Sequence, residues 1–88
     1  MYKTVYRKNV KKDIDKLSIN GLDKKAQSLI EIIKNNPCQT PPPFEKLLGD
    51  LHGACSRRIN IQHRLIYQII EEEKTIKILS MWTHYENI

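Results

Sequence analysis

The sequence predicts an α+β fold: an N-terminal helical hairpin packed on one face of a mainly antiparallel four-stranded sheet. Apolar residues recur at helical spacing from Lys8 to Lys34. After residue 54 three segments rich in β-branched residues follow one another with short breaks. Three consecutive prolines, Pro41 to Pro43, separate the two regions. With 88 residues the chain can bury one modest core, so residues 1–88 are expected to form a single domain.

Tyr2 to Tyr6 has β-like composition and reads as a short strand. From Lys8 to Leu17, Val10, Ile14 and Leu17 form one helical stripe, which Asn20 and Gly21 terminate. A second helix is expected from about Leu22 to Lys34, with Leu22, Ala26, Leu29, Ile30 and Ile33 on one face and Asn35, Asn36 and Pro37 at its end. The short connection makes the helices antiparallel neighbours. Residues 38–43 are a stiff extended connector, because proline donates no backbone hydrogen bond. Strands are expected at Cys55–Asn60, Arg64–Glu71 and Lys74–Trp82, an antiparallel meander. In the first of these, alternation sets Cys55, Arg57, Ile59 and Ile61 on one face and Ser56, Arg58 and Asn60 on the other. The second is apolar on both parities, as a central strand is.

No run approaches the roughly 18 apolar residues of a membrane span, and the charged N-terminus is unlike a signal peptide, so a cytoplasmic protein with no membrane partner is expected. Cys38 and Cys55 lack metal-ligand spacing and read as reduced thiols; neither a metal nor a cofactor is expected. The net charge of +5 is unevenly spread. Residues 1–36 hold nine Lys/Arg against four Asp/Glu, whereas residues 37–88 hold six of each. A basic helical surface suits nucleic acid or an acidic partner chain, but a solvated helix face is the simpler explanation.

Chemistry enters through strand register. A turn centred on Ile61 sets Arg58 opposite Arg64, and two cations so placed destabilise a sheet unless an anion lies between them. A second turn centred between Glu72 and Glu73 sets Arg64 beside Met81 and carries His84 and Tyr85 just past that end of the sheet. Metal-independent RNA cleavage requires a base for the 2′-hydroxyl, an acid for the leaving 5′ oxygen, and cations for the phosphorane. Arg58, Arg64 and His84 offer the last two. Their plainer explanation is surface cations, Arg57 among them, and a decorated C-terminal tail.

Pro43-Phe44-Glu45-Lys46-Leu47, Gly49-Asp50-Leu51, Gly53, Ser56-Arg57-Arg58-Ile59, His63-Arg64-Leu65-Ile66-Tyr67 and His84-Tyr85 together strongly resemble the Txe/YoeB toxin family of type II toxin–antitoxin systems. The resemblance covers about half the chain and implies a RelE-like fold with two N-terminal helices on a curved antiparallel sheet. It implies Glu45 as general base, Arg58 and Arg64 as phosphate-binding arginines, His84 as general acid and Tyr85 as terminal aromatic. Arg64 would act in catalysis; Arg58 and Tyr85 would hold the RNA. Glu45 is assigned by resemblance alone, since composition makes it an exposed loop residue after a proline run. Trp82 and Tyr85 are both able to stack on bases, Tyr85 being the better placed. His52 and His63 read as surface residues without a catalytic part. Cys55 departs from the family's usual aromatic, and Glu86-Asn87-Ile88 extends beyond the His-Tyr pair that often closes the chain.

Membership of that family implies a ribosome-dependent messenger RNA endoribonuclease acting in the ribosomal A site, with the ribosome and messenger RNA as partners. It also implies a Phd/YefM-type antitoxin whose disordered part folds onto the toxin. Monomer and homodimer both stay open. The rival readings are a catalytically inactive RNA- or antitoxin-binding module of the same fold, and a plain basic RNA-binding domain that needs no His84.

Overall fold

The computed structural model describes residues 1–41, 43–46, 53–60 and 63–81. Among them, strand β1 (Lys3–Tyr6) leads into helices α1 (Val10–Ile19) and α2 (Asp23–Asn35). Strands β2 (Glu45–Lys46), β3 (Ala54–Arg58), β4 (Arg64–Ile70) and β5 (Thr75–Ser80) follow, with a 3₁₀ turn at Glu71–Glu73. The sheet order is β1-β5-β4-β3-β2, with β1 parallel to β5 and every other pairing antiparallel. The sheet therefore has five strands rather than the expected four. The additional one, β2, is only two residues long, too short for any periodicity to announce it.

The helices begin and end slightly later than their stripes suggest. At the end of α1, Gly21 takes φ +72°, its N–H donates to the Ser18 carbonyl, and the Leu22 N–H donates to the Leu17 carbonyl at 2.8 Å. These are the two bonds of a Schellman cap, and Leu22 packs on the same core as Leu17. A side chain at position 21 would be strained in that left-handed conformation. Val10, Leu17, Ala26, Leu29, Ile30 and Ile33 from the helices meet Cys55, Ile59, Leu65, Tyr67, Ile76 and Ile78 from the sheet in one core. The expected α1 stripe is corrected at Ile14, which is exposed and lies at the rim of the hairpin with Tyr6 and Lys24.

The helices cover one sheet face. On the other, Ala54, Ile66 and Leu79 form a smaller apolar cluster. Leu79 joins it through a β-bulge: Tyr67 pairs with Ile78 but Ile66 with Ser80, leaving Leu79 as an extra residue in β5. The expected register of β4 and β5 holds from Ile70–Thr75 to Tyr67–Ile78 and then slips by one. The expectation of Arg64 beside Met81 is corrected accordingly. Elsewhere polar contacts fix the ends of elements. Tyr2 Oη donates to Glu71 Oε1 at 2.6 Å, and Asp13 of α1 accepts the Met81 N–H at 3.0 Å. No helix among the described residues is long and apolar enough to cross a membrane.

Candidate active site

The end of the β3–β4 hairpin carries the charge. Arg58 and Arg64 are cross-strand partners, as a turn centred on Ile61 requires. Alternation turns Arg58 away from the helices while Ile59, next in sequence, is fully buried. Strand β2 adds a carboxylate: Glu45 pairs with Ser56, and Lys46 with Cys55. A cleft of about 230 Å³ results, lined by Pro43, Phe44, Glu45, Ser56, Arg58 and Arg64. Two guanidinium groups against one carboxylate leave an excess positive charge, which suits one phosphodiester. The repulsion expected of a directly opposed cation pair would be offset in part by a carboxylate in the same cleft and further by any anion that binds there.

What holds β2 in place is Arg57. Its side chain lies on the helix side of β3 and is 0% exposed. Nε donates to Tyr67 Oη at 3.0 Å, while one terminal nitrogen donates to the carbonyls of Pro37 (3.1 Å) and Gln39 (2.8 Å). Tyr67 Oη donates in turn to the Pro37 carbonyl at 2.9 Å. The Phe44 ring lies 4.9 Å from the guanidinium carbon, a cation–π contact. The fork thus fastens both ends of the proline connector, and Glu45 is the next residue along. Burial pushes the Tyr67 hydroxyl up to about 12, with the Arg57 bond working against that rise, so this hydroxyl stays a donor at ordinary pH. The reading of Arg57 as a surface cation is corrected by this burial.

Three of the expected site residues, Glu45, Arg58 and Arg64, therefore meet in one cleft. His84 and Tyr85, with Trp82 and His52, lie outside the described residues. His63 is half-buried in the hairpin turn, its N–H donating to Asn60 Oδ1 at 2.7 Å. Ser56 was legible on Arg58's face by alternation, but nothing local marks it as lining a cleft. Both cysteines are free, and burial pushes the Cys55 thiol up. Among the described residues no group of three or more His, Cys, Asp or Glu is placed to hold a metal ion.

The sequence model of the family described as YoeB-like toxin of bacterial type II toxin–antitoxin system matches residues 6–85. A toxin YoeB from Synechocystis sp. is 36% identical over 63 residues, which cover 72% of this chain and 71% of that protein. A YoeB/ParE toxin from Agrobacterium tumefaciens superposes with a TM-score of 0.84 at 26% identity, covering 94% of this chain and 99% of the other. A chain of a YoeB–YefM complex from Staphylococcus aureus superposes with a TM-score of 0.80 at 31% identity, covering 97% and 99%. With the family model spanning nearly the whole sequence, this chain belongs to the YoeB-like toxins of bacterial type II toxin–antitoxin systems.

Proposed function

We propose that this toxin is an endoribonuclease that cuts messenger RNA in the ribosomal A site and so stops translation. The observation that carries the reading is one cleft holding Glu45 and the opposed pair Arg58 and Arg64. In the reaction, the Glu45 carboxylate takes the proton of the 2′-hydroxyl, and O2′ attacks the adjacent phosphorus. The P–O5′ bond breaks as His84 gives its proton to the leaving 5′ oxygen, leaving a 2′,3′-cyclic phosphate and a 5′-hydroxyl. Arg58 and Arg64 hold the non-bridging oxygens, on which negative charge accumulates in the phosphorane. A planar guanidinium bonds two such oxygens at once, and loss of one such stabiliser costs on the order of 100-fold in rate. Tyr85 stacks on a base of the bound message. No step calls for a metal or an organic cofactor.

The ribosome supplies what a small cleft lacks, holding the message so that the scissile phosphate reaches the arginines. The S. aureus relative was solved as a YoeB–YefM complex, which supports a Phd/YefM-type antitoxin as the partner that silences this chain. A YoeB dimer from the same organism supports a homodimer for the free toxin.

Growth of bacteria induced to make the wild type, set beside a Glu45→Ala, His84→Ala double variant, tests the reading, with message ends mapped by primer extension. The wild type is expected to arrest growth with cuts that need ribosomes, and the double variant to do neither. Intact messages in both would leave an inactive module that binds antitoxin or RNA.

A further inference from the structure

Ser56 lies mid-strand in β3 with 1% of its surface exposed, and its Oγ finds no hydrogen-bond partner among the described residues. Such groups are uncommon in folded proteins, because a buried hydroxyl that loses water and gains nothing weakens the fold. Its cross-strand neighbours do not meet the need. Ile66 on β4 is apolar, and Glu45 on β2, though directly opposite, is exposed and leaves Oγ unbonded. Ser56 nevertheless lines the cleft with Glu45, Arg58 and Arg64, and shares a strand face with Arg58 two residues on. A buried, unbonded hydroxyl in the lining of a cleft that also holds two guanidinium groups has a donor to offer an oxyanion bound there.

We propose that Ser56 is a third phosphate-contacting residue, its hydroxyl donating to a non-bridging oxygen of the RNA phosphate held between Arg58 and Arg64. The arginines bind from the rim and the serine from the floor, so the phosphate is fixed in depth as well as laterally. That depth sets how the 2′-hydroxyl meets Glu45, the residue paired with Ser56. The proposal rests on the ribonuclease reading and deepens it. It also explains why an unpaired hydroxyl is retained in a packed strand: the bond it lacks in the free protein is made to the substrate, at some expense to stability.

The test compares wild type, Ser56→Ala and Arg58→Ala in three measurements: thermal melting, titration with inorganic phosphate followed by ¹H–¹⁵N spectra, and message cleavage on programmed ribosomes. Ser56→Ala is expected to melt at or above the wild-type temperature, because it deletes an unpaired group. It is expected to bind phosphate roughly tenfold more weakly, as for loss of one hydrogen bond to a charged acceptor, and to cut about tenfold more slowly or worse. Ser56→Thr, which keeps the hydroxyl, should retain most phosphate affinity wherever it melts like the wild type. A Ser56→Ala protein that binds phosphate like the wild type overturns the proposal whatever its cleavage rate. So does one that melts several degrees lower, since the hydroxyl would then be bonded within the folded chain. If the wild type binds phosphate through Arg58 and Ser56 but cuts no message, the ribonuclease reading fails and the phosphate contact stands.

Discussion

Arg57 and Arg58 are chemically identical neighbours with opposite fates, and one residue of strand alternation makes the difference. Arg57 is enclosed and bonded to Tyr67 and two connector carbonyls; Arg58 is exposed on the cleft. Arg57→Ala would strip the Gln39 carbonyl of its donor and leave Tyr67 Oη and the Pro37 carbonyl with only their bond to each other, beside a cavity, a loss of about 3 kcal/mol in unfolding free energy, measurable by urea titration. Arg58→Ala should stay within about 0.5 kcal/mol of wild type, as exposed sites do. Arg58→Lys should reduce cleavage while ribosome binding persists, because the charge remains and the two-pronged geometry does not; equal loss of binding would make Arg58 an anchor rather than a stabiliser of the phosphorane. Tyr67 adds a pH signature. Its hydroxyl is raised from an ordinary 10 to about 12, so the folded chain keeps a proton that the unfolded chain gives up. The stability tied to that proton is whole below pH 10 and is lost as pH rises from 10 to 12. The loss approaches about 2–3 kcal/mol, and it should vanish from the Tyr67→Phe minus wild-type difference if the assignment is wrong.

Among the elements, those carried by periodicity were legible and those carried by tertiary contact were not. The helical hairpin, the Asn20-Gly21 stop and the Arg58–Arg64 register all follow from spacing, because each is settled within one element or one tight turn. Ile14, β2 and the bulge at Leu79 were missed for a common reason: each depends on what a distant segment offers. Ile14 keeps the spacing of its stripe but falls at the open rim of the hairpin, beside Tyr6 and Lys24, and Leu79 leaves the ladder to join Ala54 and Ile66 across the sheet. Strand β2 exists because Arg57 and Phe44 hold the connector against β3, so a two-residue ladder suffices to aim Glu45. The sequence pattern alone left Glu45 in a loop, and only resemblance gave it a part. An element that short is sensitive to register, since a slip of one residue turns every side chain to the other face. One glycine inserted between Phe44 and Glu45 should therefore abolish cleavage much as Glu45→Ala does, while the melting temperature falls by only a few degrees. Retained cleavage in the insertion variant would mean that Glu45 does not act from the β2 position.

At the scale of the whole molecule, the sheet separates two tasks: one face packs the helices and stabilises the chain, while the other, at the β3–β4 end, presents the charged cleft. Arg57 spans both, because it is bonded on the core side and fixes what stands on the cleft side. The two thiols allow that coupling to be read without any activity. Cys38, exposed in the connector, should react with a thiol reagent at the rate of a free cysteine. Cys55 is 3% exposed between Lys46 and Tyr67, and burial also raises its thiol so that little thiolate forms. It should react at least about two orders of magnitude more slowly, through opening of the fold. If that opening is the cooperative unfolding that Arg57 resists, a loss of about 3 kcal/mol in Arg57→Ala should speed Cys55 labelling by roughly 150-fold while Cys38 is unaffected. An unchanged Cys55 rate would mean that β2 detaches from β3 with the Arg57 anchorage still in place, and that Glu45 is therefore held less firmly than the connector behind it.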